Sequence, residues 1–108
     1  MTTEKVDKKI IKANLRLKTT EEGGRWSGIK TGYRPNHVFE YTDKGHFNTT
    51  YVGEINFDKE WIQLGDNEIV TVTFPLDRSV EKYLEVGRRW WIHEGQKLVG
   101  EAEIIEVI

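Results

Sequence analysis

An all-β fold, a small barrel or sandwich, is what this sequence predicts, and three observations carry the prediction. Six short runs alternate apolar and polar residues with the period of two that sends successive side chains to opposite faces of a strand. The intervals between most of them are short and rich in turn formers, as in Asp43-Lys44-Gly45, Gly65-Asp66-Asn67 and Glu94-Gly95-Gln96-Lys97. No segment carries a convincing helical period, and six strands with such turns are the pattern of a closed or two-layered β structure.

The elements follow in order. Residues 1–8 are polar and charged and read as a flexible tail, leaving 9–108 as one domain. In the first strand Ile11, Ala13, Leu15 and Leu17 alternate with Lys12, Asn14, Arg16 and Lys18, one face for the core and one cationic. A long loop then runs from Glu21 to Pro35. It holds four of the ten glycines, one of the two prolines and three basic side chains, and loops of that length are functional more often than they are mere connectors.

The residue before a proline is pushed out of the α region, so Arg34 is extended and leads into a second strand, His37 to Thr42. Tyr51 to Phe57 is the third, with Gly53 marking a bulge or a close backbone approach. Trp61 to Leu64 enters the Gly65-Asp66-Asn67 turn, and Val70, Val72 and Phe74 form the fourth strand until Pro75 breaks it. Ser79 could cap one helical turn through Leu84, although the pattern favours a loop. Glu85 to His93 and Leu98 to Val107 close the chain as a hairpin.

Composition limits what such a domain can do. The chain has 108 residues, 37% of them hydrophobic and 31% charged, enough for one soluble domain with a modest core. Without cysteine it has no disulfide, thiolate chemistry or Cys-based zinc site. No run approaches the roughly 18 apolar residues of a membrane span, and the N-terminus lacks a signal-peptide core, so a cytoplasmic protein with no membrane contact is expected. The net charge of −2 hides an asymmetry: residues 1–54 carry ten Lys/Arg and seven Asp/Glu, against six and eleven in residues 55–108. Contact with RNA would therefore be local and salt-sensitive.

Catalysis finds no constellation. The only serines are Ser27 and Ser79, and the histidines His37, His46 and His93 have no nucleophile or metal-ligand spacing. Neither enzyme activity nor a cofactor is expected. His37 and His93 alternate out of the core positions and are read as solvated, while Glu101, Glu103 and Glu106 form a solvent face. Trp61 and Trp90 are expected in the core. Trp26 and Trp91 would make an aromatic contact patch beside Arg25, Arg89 and His93 if both are exposed.

Four stretches then point to a known family. The loop Glu22-Gly23-Gly24-Arg25, the following Gly32-Tyr33-Arg34-Pro35, the turn Gly65-Asp66-Asn67 and the ending Ile92-His93-Glu94-Gly95-Gln96-Lys97-Leu98-Val99-Gly100 stand in a familiar order and spacing. Over roughly residues 8–108 the chain resembles the C-terminal β-barrel domain, domain 3, of bacterial elongation factor Tu. The resemblance implies a six-stranded antiparallel Greek-key barrel. It also implies a binding module for tRNA or RNA backbone or for a translation factor, without GTP, because no phosphate loop is present. A protein-interaction module with no RNA contact is the alternative.

Carried over by position, the resemblance gives Arg25, Trp26, Thr31, Arg34, Asn36, Glu94 and Gly95 as contact residues, with Trp91 added by the patch argument. Arg25 would pair with a phosphate through its guanidinium fork. Trp26 stands in place of the family's histidine, Asn36 in place of a glutamine, and Gln96 where a second glycine is expected. Arg34 beside Tyr33 and Pro35 is read as a brace for the loop rather than a partner-facing cation, and the loop's glycines either close one end of the barrel, supplying positive φ angles there, or serve binding, or both.

Overall fold

The computed structural model describes residues 8–75 and 78–108. Its strands are β1 (Lys9–Leu17), β2 (Ile29–Lys30), β3 (Asn36–Val38), β4 (Tyr51–Val52), β5 (Glu54–Asn56), β6 (Trp61–Ile62), β7 (Asn67–Phe74), β8 (Arg89–Glu94) and β9 (Lys97–Val107), with a 3-10 helix at Arg78–Tyr83. Seven of them form one antiparallel sheet in the order β4-β3-β8-β9-β1-β7-β5, and β2 pairs with β6 alone.

The two ends of that sheet are consecutive in the chain, separated only by Gly53. Beyond β3, Tyr33 bridges to Ile55, through Gly32 N–H to Ile55 O and Ile55 N–H to Tyr33 O, both 2.8 Å. Asn36 faces Val52 and His37 faces Tyr51, so these pairs and the Tyr33 bridge share one register. The segment from Tyr33 to Val38 thus pairs with β4 and β5 as a single ribbon, and the sheet closes into a barrel of six walls. The wall around β1 lies between β7 and β9, and the chain crosses from β1 to β3 before meandering back through β4, β5 and β7, which is the Greek-key path.

The core is what the alternation dictates. Ile11, Ala13, Leu15 and Leu17 of β1 are buried with Val70, Val72 and Phe74 of β7 and Ala102 and Ile104 of β9. Two irregularities keep the inward set in step: the register shifts between Lys12 and Ala13 against β9, and between Ile92 and His93 in the final hairpin. A bulge re-aims side chains in this way.

Several expectations are corrected. The second strand ends at Val38, not Thr42. Phe39 turns inward and stacks between Tyr83, 4.7 Å between ring centroids, and Trp90, 5.4 Å, while its carbonyl accepts from the Arg88 guanidinium instead of a ladder partner. The helical turn disfavoured by pattern does form, as a 3-10 helix. Its buried Val80 and Tyr83 are three residues apart, the period that brings both to one side of a 3-10 turn, and they reach the core as a plug. The fifth strand begins at Arg89, because Glu85 to Arg88 form a turn with Gly87 at φ 91°.

Both histidines read as solvated are buried, His37 completely and His93 at 4% exposure. The Trp90 indole N–H donates to His37 Nδ1 at 2.9 Å. Nε2 therefore carries the ring proton and donates to the Gly53 carbonyl at 3.0 Å. Burial pushes the His37 pKa down to about 4, against a smaller opposing effect of the Gly53 carbonyl. Gly53 marks the close approach its position suggests: a Cβ there would lie 2.9 Å from both His37 Nε2 and the Phe74 ring.

His93 points outward but is covered. Tyr41 and Phe47, in the excursion between β3 and β4, close over it, with the Phe47 ring 4.7 Å away. Trp61 departs in the other direction and is 40% exposed. It sits in β6 opposite Lys30 of β2, on a ribbon whose partner residues Ile29 and Ile62 are the buried ones.

A candidate binding surface at the Gly-rich loop

The loop is built from its carboxylate and its glycines. Glu22 folds back on Thr19, accepting from the Thr19 backbone N–H at 2.9 Å and from Arg16 at 3.0 and 3.2 Å. Those bonds, the backbone one first, hold its carboxyl below the usual range. Gly23 follows at φ 91°, a region that L side chains avoid. Gly28 is required for a different reason. A Cβ there would stand 2.3 Å from the Ile62 carbonyl, so only a bare backbone lets the loop lie down on β6.

Arg25 then fastens the loop to the final hairpin. Its guanidinium donates to the Glu94 carboxylate, and also to the carbonyls of Ser27 at 3.1 Å and Gly28 at 3.4 Å. It lies over the Tyr33 ring at 5.3 Å, and the Tyr33 hydroxyl donates to the same Glu94 oxygen. Burial and the neighbouring Glu94 carboxylate push the Tyr33 pKa well above the usual phenol value. Glu94 is held in place because Gly95 adopts φ 60° at the first position of the two-residue turn before Lys97, the requirement of a II′ hairpin.

Arg25, Glu94 and Gly95 of the sequence-predicted set are thereby brought together with Tyr33, which that set omits. The guanidinium expected to meet a phosphate already has a carboxylate partner. Arg34 likewise pairs with Glu54 at 3.0 Å, although its side chain is largely exposed. Thr31 caps the neighbouring wall: its hydroxyl accepts from Phe57 N–H at 3.0 Å and lies 3.3 Å from Asn56 Oδ1. Asn36 donates to the Thr50 hydroxyl at 3.4 Å, on the β3 to β4 side.

Trp91 does not join Trp26. It is half-buried under the excursion that covers His93, with Tyr41 edge-on at 5.1 Å, and Arg89 beside it pairs with Glu101 at 2.9 Å. Trp26, by contrast, is 83% exposed. The indole that shares a cleft with it is Trp61. The two, with Ser27, Gly28, Gln63 and Leu64, line one open cleft, and the Lys30 ammonium lies over the Trp61 ring at 5.0 Å. Sequence reasoning missed Trp61 by reading it as core. The signal available was Lys59-Glu60 before it, too charged to lead into a buried strand.

The surface is a loop tied to the final hairpin, carrying exposed indoles and a cation. Among the described residues no group of three His, Asp or Glu side chains could hold a metal ion, and no helix is long and apolar enough to cross a membrane. No protein-family model matches the chain.

Proposed function

We propose that the chain is a non-catalytic binding module of the kind represented by domain 3 of elongation factor Tu, acting through the loop end of its barrel on a protein of the translation apparatus. The observation that carries this reading is Trp26, exposed at the tip of a loop that Arg25, Tyr33 and Glu94 pin from beneath. A rigid, outward tryptophan loses little entropy on contact and is a typical centre of binding energy. Loops carried on a barrel are where binding residues concentrate.

The pairing of charges favours a protein over RNA. Phosphate binding needs cations free to replace counterions, and Arg25, Arg34, Arg16 and Arg89 each face a carboxylate. An RNA contact is the second reading, favoured by Lys30 and the two indoles standing together, since bases stack on exposed aromatics beside positive charge.

Photo-crosslinking tests both. A photoreactive amino acid replaces Trp26, or Ile69 on the outer wall of β7 as control, in the cell that makes the protein, and adducts are treated with nuclease before identification. The expected result is a nuclease-resistant protein adduct, a translation component, at position 26 and none at 69. An adduct that nuclease removes, and a tRNA titration that weakens with salt, would replace the first reading with the second. Equal labelling at both positions, or none, overturns both.

A further inference from the structure

We propose that the cleft between Trp26 and Trp61 receives a proline-containing, acidic peptide segment in the polyproline II conformation; this rests on the reading of the partner as a protein. The cleft is a trough rather than a pocket. It offers about 520 Å³ of open space lined by the two indoles with Ser27, Gln63 and Leu64, and by Gly28, which contributes no side chain and lies against the Ile62 carbonyl. An open trough with aromatic walls suits an extended chain laid across it, which small closed-pocket ligands do not need.

Proline matches the walls. The ring's partly positive C–H edges pack on the electron-rich indole face, and a polyproline II segment is already ordered before binding, so it loses little entropy. That conformation has no internal hydrogen bonds, leaving every carbonyl free to accept. The trough offers donors for them: among the described residues neither the Trp26 nor the Trp61 indole N–H has a protein acceptor, and the Gln63 side-chain amide is likewise uncommitted.

Lys30 sets the charge from an adjoining cleft that shares Ser27, Gly28 and Trp61 with this one. Its ammonium lies over Trp61 at 5.0 Å and, among the described residues, makes no ion pair. A carboxylate one turn along the peptide would complement it. A nucleic acid would ask for a row of such cations, whereas the surrounding arginines are paired with carboxylates.

The test is a titration of the whole protein with three probes: the peptide acetyl-Pro-Pro-Glu-Pro-Pro-Glu-Pro-amide, a counterpart with Gly and Ser replacing every proline, and an oligouridylate. Tryptophan emission and amide shifts report binding. Saturable binding of the proline peptide is expected, weakened about tenfold or more by Trp26→Ala, as for a central aromatic anchor, and reduced by Lys30→Met for the acidic peptide but not for a glutamine version. Trp26 is almost wholly exposed, so its removal leaves the fold intact and the variant informative. Equal binding of the Gly/Ser peptide, preference for the oligouridylate, no saturation, or indifference to Trp26→Ala each overturns the proposal. A nuclease-resistant adduct at position 26 together with no peptide binding would leave the functional reading standing and remove only this one.

Discussion

His37 is a core residue with a polar ring, and its two nitrogens are both spoken for. Trp90 donates to one and Gly53 accepts from the other, so the neutral ring fits and a protonated ring would set Nδ1–H against the indole N–H. The unfolded chain takes a proton near pH 6.5, while the folded ring resists until about 4. Stability is therefore full above about pH 6.5 and falls as the pH drops toward 4, by at most roughly 3 kcal/mol for a shift of this size. Urea midpoints at pH 7 and 4.5 check this. The loss on acidification is expected to be smaller in His37→Gln than in the wild type, and equal losses would contradict the account. The burial of His93 adds a depression of the same sign, which both proteins share. The period-two pattern placed these histidines on the wrong side of their burial for a physical reason. Alternation tells inward from outward only where a strand runs long enough, and β3 has three residues; His93 does point outward, but a period of two says nothing of the Tyr41 and Phe47 rings that close over it.

At the scale of elements, the long loop and the last hairpin are one unit. The sequence holds Gly-Gly-Arg and Glu-Gly as separate signatures 69 residues apart, and nothing in their local pattern says that Arg25 meets Glu94. What was legible was that both stretches matter. What was not legible was that they are spent on each other, because a salt bridge across the barrel end is a product of closure, not of spacing. The loop's glycines divide similarly: Gly23 and Gly32 supply positive φ, as the sequence allows, whereas Gly24 and Gly28 are required by close backbone approaches that only the folded chain reveals. A double-mutant cycle of Arg25→Ala and Glu94→Ala measures the union. The two are partly shielded from solvent, with side chains 25% and 35% exposed, so a coupling of about 1–2 kcal/mol is expected, above the range of fully exposed pairs. A coupling near zero would mean that the loop and hairpin are held by other contacts. The 3-10 helix was the one element disfavoured by pattern, and its sequence signal, Val80 and Tyr83 three residues apart, is too short to outweigh the surrounding charge.

For the whole molecule, the fold class was readable and the surface was not. Six alternating runs required a closed β structure because none of them can bury its apolar face alone, and the barrel closes where Tyr33 meets Ile55. The aromatic surface depended on which tryptophans the closure leaves outside. Trp90 went in as expected, Trp61, read as core, is 40% exposed, and of the two whose joint exposure was the condition for a patch Trp26 is exposed and Trp91 half-buried. The excursion between β3 and β4 folds over Trp91, and the β2 to β6 ribbon turns Trp61 to solvent. Binding by the loop end rests on its being preformed, so the most direct measurement is backbone relaxation of the amides from Gly24 to Tyr33. Order parameters near those of rigid backbone, about 0.85, are predicted in the wild type, with a fall across this stretch in Glu94→Gln. Values below about 0.6 in the wild type would contradict the account, because Trp26 would then be the tip of a loose loop rather than a contact held ready by the barrel.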